Sequence, residues 1–198
     1  MALKKDILPL VLATSISIIF FTFLFLKRKN YEFMIYIAII IFFAIVIGLA
    51  HGKINYPKYV LWWLALWAFL HMSGGGIYIR GKKLYEFMIF NIVGEPYSIF
   101  KFDQLVHIIG FFAATLALYY TLKPLLKDNL TKWTSLSIIV VMAGLGAGAL
   151  NEIIEFSATV LVPETGVGGY ENTSLDLVAD LLGSVIAAVY IAKREKNS

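Results

Sequence analysis

Apolar residues in this chain come in long blocks, separated by short stretches that carry most of the lysine and arginine. About 20 residues at a helical rise of about 1.5 Å each cover the roughly 30 Å hydrocarbon core of a bilayer, so the blocks read as membrane-spanning helices. The pattern predicts six of them, at about 7–26, 33–50, 59–72, 102–122, 133–161 and 174–192. Residues 73–101 break the pattern and are expected to form an interfacial or extramembrane insertion. The fold class that follows is all-α, a polytopic membrane helical bundle forming a single transmembrane domain.

Local signals refine the blocks. Lys4 and Lys5 before an apolar stretch give the N-terminus the look of a signal peptide. That stretch is long enough to span, however, and ends in Lys27-Arg28-Lys29 with no small-residue cleavage site, which predicts a retained anchor. Ser73-Gly74-Gly75-Gly76 leaves two options: the third helix continues to Ile79, or the glycines open it inside a protected cavity. Around Gly81-Lys82 the residues fit a small hairpin or an interfacial helix with a short loop. Gly94-Glu95-Pro96 breaks whatever precedes it, and Pro124 with Asn129 marks a loop. Gly144 and Gly148 form a Gly-x-x-x-Gly face on which a neighbouring helix can approach closely.

Composition agrees with the blocks. Hydrophobic residues make up 60%, mean hydropathy is +0.79, and charged residues are 15%, against about 25% in soluble domains. The absence of cysteine excludes disulfides and thiolate metal sites. A net charge of +4 does not point to nucleic acid, because the basic residues flank apolar runs, where they set topology. The side holding both termini carries ten Lys and Arg and the other seven, which predicts a multi-pass protein of the cell membrane with both termini cytoplasmic.

The chemistry lies in the charges left inside the blocks. With six spans, the ends of the third and fifth and the starts of the fourth and sixth lie at one membrane face. His71, Asp103, His107, Glu152, Glu155, Asp176 and Asp180 therefore come to similar depth. The 103/107 and 176/180 pairs are four apart and 152/155 three apart, so each pair shares a helical face. Acids near helix N-termini are favoured by the dipole, which explains Asp103 and Asp176 without any function. It does not explain Glu152 and Glu155, which approach a C-terminal end.

Five carboxylates in a small volume cannot all ionise unpaired. Some are protonated, or water fills the space, or a divalent cation binds. Two imidazoles with carboxylates suit Mn, Fe or Zn, whereas a mostly oxygen shell suits Mg or Ca. Arg80, Lys82 or Lys83 can instead neutralise part of the charge or attract a phosphate. His51, at the opposite end of its span, reads as an interfacial histidine. The chain holds no Gly-x-Ser-x-Gly, His-Glu-x-x-His or P-loop motif.

These residues resemble the YjdF-like family of multi-pass inner-membrane proteins. The matching pieces run from His71 to Tyr78, Phe102 to His107, Asn151 to Phe156 and Glu171 to Gly183. The layout is similar, more distantly, to VanZ-like proteins: an Asp-x-x-x-His helix, an acidic helix, then Asp-Leu before a glycine. The chain departs from the family pattern at Gln104, where Arg is usual, and at Asn172 and Ser174, where Asp and Gln are usual. The resemblance implies a helical membrane fold and supports the motif residues; it brings no reaction with it.

Three readings follow. The leading one is a metal-dependent hydrolase or transferase acting on a lipid or polyprenyl phosphate. In it the seven residues hold the cation and Glu152 or Glu155 serves as base; its partners are the bilayer and a lipid-linked substrate that enters sideways. The second is a proton- or ion-coupled transporter in which the acids and imidazoles form a relay. The third is a non-catalytic membrane subunit whose polar cluster fixes helix register.

Overall fold

The computed structural model describes residues 7–95, 97–126, 133–163 and 165–196. Lys4, Lys5, Pro96 and Asn129 lie outside them. Helices α1 (Leu8–Arg28), α2 (Tyr31–Ile54), α3 (Lys58–Gly76), α4 (Phe102–Leu122), α5 (Trp133–Leu161) and α6 (Tyr170–Lys196) make up the bundle. A two-stranded hairpin, β1 (Tyr78–Ile79) and β2 (Lys82–Lys83), follows α3. By length and composition α1, α2, α4, α5 and α6 can each cross a membrane. The chain is a helical, multi-pass membrane protein.

The turns obey local chemistry. Lys29 ends α1 in the left-handed region, at φ 54°, and the Asn30 side chain accepts from the Phe33 N–H to cap α2. Asn55 closes α2 in the same left-handed conformation, and Pro57 opens α3. In the hairpin, Arg80 and Gly81 both have positive φ, at 51° and 81°. Two such residues in succession match the twist of a two-residue β-turn, so the hairpin reading of this stretch holds. A single bridge between Met88 and Lys101 then closes the excursion before α4.

Helix α3 runs unbroken to Gly76, so the first four residues of the expected insertion are helical. The glycines leave room for rings from three other elements. A Cβ on Gly74 would lie 2.5 Å from the Tyr85 ring, one on Gly75 2.0 Å from Phe33, and one on Gly76 2.8 Å from Phe21. Arg28 donates to the Gly76 carbonyl and so caps the helix that the glycines end. Helix α6 likewise starts at Tyr170, which puts Asn172 on the helix rather than in the loop before it.

Helices α4 and α6 form the most extensive pair, with α5 against both and α3 on the other side of α4. The α4 and α6 backbones come close at Gly183, where a Cβ would stand 2.3 Å from the Ile108 carbonyl oxygen. Helices α1 and α2 attach through α3 and contribute a second apolar core around Phe21, Phe25, Phe33, Tyr36 and Met72.

A part-buried ion pair ties the connections at the α3 C-terminal face. The Glu32 carboxylate accepts from Lys83 Nζ at 3.4 Å and from the Gly166 N–H at 2.8 Å. It thereby joins the start of α2, the hairpin and the loop before α6. Glu32→Ala is expected to cost about 1–3 kcal/mol, because the buried carboxylate is the shared charged acceptor of the Gly166 N–H and the Lys83 ammonium. Hydrogen exchange should accelerate at Gly166 and across Tyr78–Lys83 and stay unchanged in α4.

Candidate functional site

Asn172, Asp176, Asp180 and Ser184 recur every four residues and so form one stripe along α6. Asp176, Asp180 and Ser184 expose no surface at all. Helix α4 supplies the complement in successive layers. Gln104 Nε2 donates to Asp176 Oδ1 at 3.1 Å, His107 Nδ1 lies 2.8 Å from Asp180 Oδ1, and Thr115 Oγ1 bonds Ser184 Oγ at 3.1 Å. Asn172 bridges the outermost layer, donating to Asp176 and approaching Asp103 Oδ2 at 3.5 Å.

Helix α5 closes the third side. A Cβ on Gly148 would lie 2.2 Å from Asp180 Oδ2, and one on Gly144 2.0 Å from Thr115 Oγ1. The Gly-x-x-x-Gly face therefore accommodates polar side chains of α4 and α6, not merely another helix backbone. One turn beyond Gly148, Glu152 is buried, and Asn151 Nδ2 donates to Glu155 Oε1 at 2.9 Å.

The result is a constellation centred on His107. Among the described residues, ligand-type atoms of Asp103, His107 and Asp176 lie within 4.8 Å of one another, as do those of His107, Glu152 and Glu155. With Asp180 against its Nδ1, His107 and the five acids around it make six of the seven residues expected at the site. An ionised carboxylate only accepts, so an ionised Asp180 would hold the ring proton on Nδ1. The other nitrogen, Nε2, lies 3.9 Å from Asp103 Oδ1. Glu152 Oε1 and Asp180 Oδ2 are buried without a hydrogen-bond partner.

His71, the seventh, stands apart from both groups. Its ring sits among Phe33, Tyr36, Trp67 and Tyr85. Tyr85 Oη lies 2.7 Å from His71 Nδ1 and 3.0 Å from the His71 carbonyl oxygen. Burial pushes the Tyr85 phenol well above its ordinary pKa, which keeps it a donor. Both contacts form together when Nδ1–H donates to the phenol and the phenol donates to the carbonyl. Depth along α3 brings His71 level with the acids, but its direction around the helix axis turns it into the aromatic box.

The donor set is thus one imidazole among carboxylates, closer to the oxygen-rich shells of Mg2+, Ca2+ or Mn2+ than to a two-histidine site. Of the two buried oxygens without partners, Glu152 Oε1 is the one in a group of ligand-type atoms and fits a cation, whereas Asp180 Oδ2 packs against Gly148. Residue-type reasoning overlooked Gln104, Asn172, Thr115 and Ser184 as members of this seam. The four-residue spacing from 172 to 184 was the signal for two of them.

A family model described as a predicted membrane protein (DUF2238) matches residues 8–197. No curated protein matches the chain. No solved structure matches it either.

Proposed function

The chain belongs to the DUF2238 family of predicted membrane proteins, and on that footing we propose that its His107-centred acids hold a divalent cation and act on a lipid-linked phosphate. The observation that carries this reading is the convergence on His107 of two groups, Asp103 with Asp176 and Glu152 with Glu155, with the buried Glu152 Oε1 left unpartnered. Asp103, Asp176 and His107 would hold the ion, with Glu152 of the second group around the same imidazole beside them, and Asp180 would orient the imidazole from behind. A carboxylate that fixes a ligating histidine in this way raises its basicity and its affinity. A bound cation supplies Lewis-acid polarisation of a phosphoryl oxygen.

Glu155, held by Asn151, serves as the base that takes a proton from the attacking hydroxyl or water. Arg80, Lys82 and Lys101 lie in the connection between α3 and α4 at the same end of the bundle and favour an anionic headgroup. With both termini cytoplasmic, that end faces away from the cytoplasm, at the surface of the cell membrane. The wider kinship with VanZ-like proteins, carried by Asp103, His107, Glu152 and Asp176 in that order, belongs to the same proposal.

A proton relay also has an observation in its favour, the three polar layers stacked along the α4–α6 seam. Below Ser184, however, the seam is closed by Leu116, Ala117, Tyr119, Ala187 and Ile191. A path open at one end only suits a site better than a channel.

The test is calorimetric. Purified protein in nanodiscs is expected to bind Mn2+ saturably and to gain thermal stability from it. Asp103→Asn should weaken that binding by about 10-fold or more, since losing even a partner of a ligand costs about 10–100-fold. Absence of saturable binding, or unchanged affinity in Asp103→Asn, would count against the proposal.

A further inference from the structure

Among the described residues, four buried side-chain atoms lack a hydrogen-bond partner. Glu152 Oε1 and Asp180 Oδ2 belong to the acid cluster, and His51 Nδ1 lies at the far end of α2 from it. The fourth is the Tyr36 hydroxyl, a donor that the site as described leaves idle. Tyr36 is only 6% exposed, so an unmade hydrogen bond there weakens the fold.

This hydroxyl sits beside the acids. Glu155 is the charged group that acts on it most strongly, followed by Glu32, Glu152 and Asp103. The packing agrees. Ala158, one turn after Glu155 on the same face of α5, is buried in one apolar core with Tyr36, and Ile154 packs against that core. The ring is held by edge contacts with Phe33 and His71, whose centroids are 5.2 and 5.4 Å away.

The neighbouring donors are committed. Gln104 and Asn172 donate to Asp176, Asn151 donates to Glu155, and the Tyr85 hydroxyl is engaged with His71. Glu32 already accepts from Lys83 and Gly166. Carboxylates only accept, so an anion that joins a cation among them needs a donor to set against their repulsion. Asp103 and Glu155 are only partly buried, which leaves the anion a way in from their side. We infer that the Tyr36 phenol donates to an oxygen of the phosphate group at the cation, which makes Tyr36 a substrate-binding residue. The inference rests on the cation-and-phosphate reading above and adds the group on α2 that recognises the anion.

Two probes, inorganic phosphate and geranyl phosphate, are titrated calorimetrically into the Mn2+-loaded full chain in nanodiscs of zwitterionic lipid. Tyr36→Phe is expected to weaken phosphate binding by about 10-fold or more, as loss of a hydrogen bond to a charged group does. Mn2+ affinity should hold, and the metal-free unfolding midpoint should stay equal or rise, because the deleted hydroxyl had no partner. Tyr85→Phe gives the contrast: its hydroxyl is engaged with His71, so the midpoint should fall while phosphate affinity holds. Tighter binding of geranyl phosphate assigns the donor to a lipid-borne phosphate, and equal or weaker binding assigns it to the free anion. Unchanged phosphate affinity in Tyr36→Phe, a loss accompanied by a lower metal-free midpoint, or an equal loss in Tyr85→Phe overturns the inference and leaves the cation reading standing. Wild type that binds Mn2+ but neither probe does the same. Wild type that binds no Mn2+ overturns the cation reading and this inference with it.

Discussion

His107→Ala is expected to abolish saturable Mn2+ binding and to lower unfolding free energy by about 3–5 kcal/mol, the range for removing one partner of a buried ion pair. The reason lies in what remains. Asp180 has no exposed surface, one of its oxygens already lacks a partner, and the other loses its 2.8 Å contact with the imidazole. Asp103, Glu152 and Glu155 lose the nitrogen around which they cluster. Chemical denaturation in mild detergent measures the first effect and calorimetry the second. The double substitution His107→Leu with Asp180→Leu separates them. Replacing both partners with apolar side chains recovers much of the stability, yet cation binding stays lost. A single variant that binds Mn2+ normally would contradict the assignment of His107.

Gly183→Ala is expected to destabilise by about 3 kcal/mol, at the upper end for overpacking. Its new methyl group would stand 2.3 Å from the Ile108 carbonyl oxygen and 3.0 Å from the Phe112 nitrogen, both backbone atoms that cannot rotate away. Separating α4 from α6 to make room would pull apart the Gln104–Asp176 and His107–Asp180 layers, so cation affinity should fall with stability. Gly146→Ala is the control. A Cβ there meets nothing within 4 Å, and relieving a mid-helix glycine should stabilise by roughly 0.5–1 kcal/mol. Thermal unfolding of the two variants beside wild type decides the matter; equal midpoints would contradict the packing described for the seam.

The helical membrane fold was legible because bilayer thickness fixes the length of an apolar block, and no tertiary contact is needed to read it. The depth of the charged residues was legible for the same reason, since helix order alone brings Asp103, Glu152 and Asp176 to one face. Direction around each helix was not. His71 shares that depth but turns toward Tyr85 and Phe33, partners supplied by distant segments whose packing no local period encodes. The continuation of α3 through three glycines is a similar case. Glycine runs read as breaks until the rings of Phe21, Phe33 and Tyr85 are seen filling the space beside them. Gln104 and Asn172 depart from the resembled family pattern, yet both donate to Asp176, so they belong to the polar seam.

The most direct measurement is pulsed EPR on the Mn2+-loaded protein, because it reports which atoms touch the ion. Nitrogen coupling from a single imidazole, present in wild type and in His71→Gln and absent in His107→Gln, is the predicted result. Coupling that persists in His107→Gln, or a wild-type spectrum of fully hydrated Mn2+ with no nitrogen coupling, would contradict it.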